Sequence, residues 1–221
     1  MKNAFSYPLA AAASAIMLTA APIAHAQEVQ NVPAAKLFPY LEAFLKVPAH
    51  ERRQVKVSYR LRSANNAPIQ ATLVDATGGR LPLSVDERGI FTKLPTLAQL
   101  QAKPTVELKA AKDSKFSLNM SFMPVLRSAT EYEARELAGV VAEGNTVIGK
   151  AGGILAMAAP KMTGIEFPKS ESGVAVFGDG RTQPLPLSDG MPVFRPDQLK
   201  GAVKVRLAKP PSTPDFNSKK K

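Results

Sequence analysis

This 221-residue sequence predicts a mainly β fold with one central helix, of the α+β class, built of antiparallel sandwich-like units. Three observations carry that reading. Short runs of alternating apolar and polar residues recur between Gly, Pro, Asn and Asp turns at roughly the ten-residue spacing of antiparallel β domains. Only one long stretch, from Ser128 to Gly152, keeps a helical period. A near-identical phrase is also written twice, "LPLSVDERGIF" from Leu81 to Phe91 and "LPLSDGMPVF" from Leu185 to Phe194.

The chain opens with Lys2, an apolar run from Pro8 to Ile23, and Ala24-His25-Ala26. Small residues flanking a larger one are what signal peptidase requires, so residues 1–26 read as a secretory signal and Gln27 as the start of the mature protein. The run falls short of the ~20 apolar residues that span a bilayer and contains Ser14 and Thr19, which argues against an anchor. No Cys follows the cleavage site, so a lipoprotein is excluded. The Ala-rich signal resembles those of Gram-negative bacteria. The periplasm is therefore the expected address, with secretion as the alternative.

From Lys36 to Lys46, Leu37, Tyr40, Leu41, Phe44 and Leu45 fall at helical spacing, predicting a short amphipathic helix interrupted by Pro39 and stopped by Pro48. Arg52 to Arg62 then alternates Val55, Val57, Tyr59 and Leu61 against Lys56, Ser58, Arg60 and Arg62. That is a half-buried strand with a strongly basic outer face. Further strands are expected at Ile69–Asp75, Leu81–Val85, Ile90–Pro95, Thr105–Ala110 and Lys115–Val125, joined by the "TGGR" and "DERG" turns. Ser128 and Glu131 have capping-box spacing, so the central helix is expected to begin there. Gly139, Gly144 and Gly149 cost it ~1 kcal/mol each relative to Ala, so it should depend on packing. Strands return at "ILAMAA", "GIEFP", "GVAVFGDG", "PLPLS", "MPVF" and "AVKVRLA", and Pro210 to Lys221 reads as a disordered basic tail. The resulting divisions are 1–26 signal, 27–127 helix plus first β unit, 128–153 connecting helix, 154–209 second β unit and 210–221 tail.

The repeated phrase extends beyond its core. Leu81-Pro82-Leu83-Ser84 matches Leu185-Pro186-Leu187-Ser188 at an offset of 104, Phe91 matches Phe194 at 103, and Leu100, Val106 and Leu108 match Leu199, Val205 and Leu207 at 99. Internal duplication and convergent hairpin grammar both account for this. Either way, each Leu-Pro-Leu piece belongs on a sheet edge or at a strand's first residue, because proline lacks the ladder donor. The stretch "ATLVDATGGRLPLSVDERGIFTKLP" resembles the transthyretin-like or carboxypeptidase-regulatory sandwich over roughly residues 52–125, although "AQLQAKP" replaces the Gly-Tyr ending of that pattern. The whole chain is similar to uncharacterised exported proteobacterial proteins. Such a resemblance implies a binding or stabilising module and transfers no active site.

Several chemistries lack their residues. There is no Cys, which removes thiol catalysis, thiolate metal sites and disulfides. Removing residues 1–26 from 221 leaves 195 and takes away one cation, so the net charge falls from +11 to +10 with His50 as the only histidine. No catalytic residue, metal site or cofactor is expected. Ser84 and Ser188 lack a nearby base, "SESG" lacks the nucleophile-elbow frame, and Glu131, Glu133, Glu136 and Glu143 fit a solvated helix face. Nucleic acid is not an expected partner, since Tyr59 alone accompanies the cations and points to the apolar face. The expectation is a non-catalytic envelope protein contacting an anionic component or another periplasmic protein through Arg52, Arg53, Lys56, Arg60 and Arg62. Alternatives are a carboxylate-dependent hydrolase of envelope polymers and a periplasmic chaperone.

Overall fold

The computed structural model describes residues 27–64, 67–112, 114–151 and 160–218. In chain order the strands of its first half are β1 (Gln27–Pro33), β2 (Val55–Ser63), β3 (Gln70–Val74), β4 (Arg80–Leu83), β5 (Thr105–Ala111) and β6 (Phe116–Pro124). Three short helices accompany them: α1 (Ala34–Leu37), α2 (Leu41–Lys46) and α3 (Leu97–Gln101). Then come β7 (Glu131–Glu133), α4 (Ala134–Ala151), β8 (Gly164–Glu166), β9 (Gly173–Phe177), β10 (Thr182–Pro184), β11 (Leu187–Ser188), β12 (Met191–Phe194), β13 (Ala202–Leu207) and β14 (Asp215–Asn217). All strand pairs are antiparallel. The fold is mainly β with one long helix, as the sequence predicts.

In the first half the sheet order is β1-β5-β3-β4, and β2 pairs along its length with β6. Single bridges, Val85 to Phe91 and Arg60 to Ile90, connect the end of β4 to β2. In the second half the orders are β10-β9-β13-β7 and β11-β12-β8-β14. Pro82 and Pro184 sit where a missing donor is tolerated, on the edge strands β4 and β10, and Pro186 stands just before the edge strand β11; Pro192 alone among these lies in an interior strand, β12. The two hairpin turns differ in sequence but share a device. Asp75 accepts from the Thr77 and Gly79 amides, and Asp179 accepts from the Arg181 amide and pairs with its guanidinium at 2.7 Å.

One buried cluster draws on both halves. Leu41, Phe44, Tyr59, Leu61, Val106 and Leu108 from the first half join Leu137, Val140, Val147, Ile165, Phe194 and Val205 from the second. Helix α4 supplies the middle, burying Leu137, Val140, Val141, Gly144, Val147 and Ile148. The break at Pro39 is as expected, with α1 and α2 on either side and Tyr40 in a left-handed conformation at φ 63°.

Four expectations are corrected. Residues Gln27–Pro33, given no element by the sequence reading, form β1 and pair with β5 over seven residues. Ile90–Pro95 is no full strand, since only the bridges at Ile90 and Phe91 remain. After them "TLAQLQ" makes α3, started by a true capping box between Thr96 and Gln99. The Ser128 capping box does not form. Ser128 Oγ donates to the Pro211 carbonyl instead, and Tyr132 pairs with Val205 in β7, so helix α4 begins only at Ala134. Long-range pairing outweighs a local cap worth about 1 kcal/mol. Finally, the basic tail is ordered through residue 218. Pro211 and Pro214 are buried, and Asp215–Asn217 forms β14 against β8 with Phe216 in the core. The expected signal, the whole of the expected "ILAMAA" strand and the last three lysines lie outside the described residues.

Candidate functional site

Strand β2 alternates as expected: Val55, Val57, Tyr59, Leu61 and Ser63 are buried, while Lys56, Arg60 and Arg62 are exposed. Register places Met123 opposite Lys56, Ser121 opposite Ser58, Asn119 opposite Arg60 and Ser117 opposite Arg62. The outer face of the β2·β6 ribbon is therefore three cations among hydroxyls, an amide and the half-buried Met123, with no carboxylate across from any of them. At 3.3 Å per residue, Lys56 and Arg62 stand about 20 Å apart along the strand. None of Arg53, Lys56, Arg60 and Arg62 forms an ion pair among the described residues; those pairs lie elsewhere, as in Arg206–Glu131 and Lys204–Glu131.

The remaining two expected site residues behave differently. Arg53 is exposed just before the strand. Arg52 is tethered: its Nε donates to the Val47 carbonyl at 2.9 Å and its guanidinium lies 5.1 Å from the Phe44 ring centre. It serves to hold α2 against the ribbon more than to extend the open face.

A cavity of about 650 Å³ opens where β2 ends. Its wall includes Arg62, Pro68, Ile69, Val85 and Arg88. The Asp86–Gly89 turn forms one side and is pressed onto β2: Gly89 lies at φ +79°, and a Cβ there would sit 2.3 Å from the Leu61 carbonyl oxygen. Asp86 is spent on that turn, accepting from the Ile90 and Arg88 amides. The Ile90 amide, ahead of Arg88, holds its carboxyl below the usual range.

A second polar cluster was invisible in the sequence because its members come from three strands, β8, β11 and β14, and the loop after β12. Asn217 Nδ2 donates to Glu166 Oε2 at 3.0 Å and to Ser188 Oγ at 3.2 Å. Arg195 Nη2 donates to Asn217 Oδ1 at 3.2 Å, while Arg195 Nε is buried without a partner among the described residues. Asp215 faces Glu166 across the β14·β8 ladder. Burial pushes the Asp215 carboxyl up, with Glu166 adding to the rise against the Phe216 amide.

Other candidate chemistries are dispersed. His50 sits exposed in the Ala49–Glu51 turn, 3.8 Å from Glu51. Glu131 and Glu133 lie on β7 instead of the helix; Glu131 is bound by Lys204 and Arg206, and Glu143 on α4 accepts from the Gln54 amide. No group of three His, Cys, Asp or Glu among the described residues is arranged to hold a metal. No helix among them is long and apolar enough to cross a membrane.

No curated protein and no solved structure matches the chain. The model of a family described as a protein of unknown function (DUF2987) matches residues 26–168, a span that runs from β1 through α4 to the end of β8. That span covers more than half of the sequence, and the chain belongs to the DUF2987 family.

Proposed function

We propose that this protein is a non-catalytic component of the bacterial envelope, exported by residues 1–26 to the periplasm, that engages an anionic partner through the outer face of β2·β6. The observation that carries the reading is the row Lys56, Arg60 and Arg62, exposed and facing only Ser117, Asn119 and Met123 across the ladder. Like charges in one row repel, and a fold gains nothing from keeping them without counter-charges, whereas an anionic surface does. The test is co-sedimentation of residues 27–221 with cell-wall sacculi and with anionic vesicles across a salt series. Binding that falls as salt rises, and is abolished by Arg60→Glu with Arg62→Glu, supports the reading. Binding that ignores both salt and charge reversal sinks it.

We also propose that the two halves are copies of one unit, residues 27–124 and 131–217, with α4 belonging to the second. The orders β1-β5-β3-β4 and β7-β13-β9-β10 correspond strand for strand, as do β6-β2 with the Ile90 bridge and β14-β8-β12. Phe91 then matches Phe194 in both phrase and position, the one bonded to β2 and the other paired with β8, whereas Ser84, beside Thr92, and Ser188, paired with Met191, match in phrase alone. On this correspondence Glu166 occupies the place of Arg60, and Asp215 that of Asn119. The architecture does not require a cation at Arg60, which strengthens the case that its charge serves a partner. Coexpression of 1–127 with an exported 128–221 should give a stoichiometric complex, because the break respects both units. If only a break after residue 153 is tolerated, the unit boundary is wrong.

A further inference from the structure

We infer that the ligand of this face is an acidic saccharide, a sugar chain bearing phosphate, sulfate or carboxylate groups, that lies along β2 and ends in the cavity beyond Arg62. The inference rests on the proposed role of the β2·β6 face and names its ligand class.

Three observations carry it. First, the cations are interleaved with groups suited to sugar hydroxyls. Ser58, Ser117, Asn119 and Ser121 line the same outer face, and Ser121 Oγ donates to Asn119 Oδ1 at 3.1 Å, which leaves the Asn119 amide N–H donors to face outward. Second, the row lacks what other anionic partners need. An interfacial membrane contact buries Trp, Phe or Leu among its cations. Yet among the described residues the exposed large apolar ones are Val29, Tyr40, Leu187 and Val203 on other elements, and Val125 beyond the end of β6; on the face itself the apolar side chain is the half-buried Met123. Nucleic-acid strands need exposed aromatics for stacking, and Tyr59 is fully buried. Third, Arg62 belongs to both the row and the cavity, so the face leads into a half-open cleft. Its volume of about 650 Å³ falls in the ordinary range for small-ligand sites. Pro68, Ile69 and Val85 offer apolar wall for the C–H face of a sugar ring, and Arg62 in the lining meets the ring's anionic substituent. Asp86 and Glu87 also line the cavity, with the Arg88 guanidinium paired to Asp86 at 3.4 Å, so the anionic substituent belongs at the Arg62 side.

The experiment is a calorimetric titration of the mature chain with three probes: a sulfated hexasaccharide, neutral maltohexaose, and phosphatidylglycerol vesicles. Backbone amide NMR shifts are followed in parallel. The expected result is that the sulfated hexasaccharide binds at least about ten-fold tighter than maltohexaose, with shifts at Arg62, Ile69 and Val85. Asn119→Ala with Ser121→Ala should weaken it about ten-fold, roughly the loss of two hydrogen bonds, and leave vesicle binding unchanged. Vesicle binding without saccharide binding overturns this inference and leaves the basic-face reading standing; binding of neither overturns both. Saccharide binding that shifts residues away from the cavity, or that ignores the Asn119 and Ser121 changes, overturns the site as drawn.

Discussion

Replacing Phe216 by Ala tests whether the C-terminal strand closes the core. The ring is 9% exposed and lies against helix α4, where a Cβ on Gly144 would sit 3.1 Å and 3.2 Å from its Cζ and Cε1 atoms. Core Phe→Ala changes cost about 3–5 kcal/mol, and a ring at the rim of the core belongs at the lower end, near 3. With a urea slope of about 2 kcal/mol/M, the midpoint should fall by roughly 1.5 M. Unfolding is followed by far-UV circular dichroism, since the chain has no Trp. The contact with Gly144 supplies an internal control. Gly→Ala inside a helix ordinarily stabilises by ~1 kcal/mol, but with Phe216 present the new methyl is crowded and Gly144→Ala should be neutral or harmful. In the Phe216→Ala background the same change should recover about 1 kcal/mol, giving a coupling of that size in the double-mutant cycle. If Phe216→Ala moves the midpoint by less than about 0.3 M, or the two changes simply add, β14 does not seal α4 and the packing argument fails.

Asp215→Asn should stabilise the protein at neutral pH. Burial raises the Asp215 pKa in the folded state, so its ionisation penalty develops as pH rises from the unfolded value and is complete above the folded one. A gain in Tm of about 2–4 °C at pH 7 should vanish below about pH 4; an unchanged Tm at pH 7 would refute the burial argument. Gly89→Ala should destabilise by at least about 2 kcal/mol, because the left-handed backbone alone costs 1–2 and the new methyl meets the Leu61 carbonyl; urea midpoints decide it. Tyr59→Phe removes the hydroxyl that donates to the Pro39 carbonyl while keeping the edge contact with Phe38 at 5.3 Å. The expected loss is about 1 kcal/mol, and a loss above about 3 would mean that the ring packing changes as well.

Period and turn chemistry made much of this protein legible in its sequence. Strict alternation from Val55 to Leu61 determined which side chains β2 buries and which cations it exposes, because successive side chains of a strand point to opposite faces. The two Leu-Pro-Leu pieces marked sheet edges, the first within β4 and the second leading into β11, because proline lacks the ladder donor. Tertiary structure decided what depends on partners distant in the chain. Gln27–Pro33 carries no strong period of its own and becomes a strand because β5 offers an edge, and Ser128 forgoes its cap because Pro211 reaches it from 83 residues away. The proline-rich end looked unable to bury anything, yet Phe216 finds the gap left by Gly144. Likewise, the cations could be read from one strand, but the hydroxyls beside them and the cavity at their end arise only from register and from the fold of the Asp86–Gly89 turn. Local sequence specifies which face a residue takes, and only long-range pairing specifies what it faces.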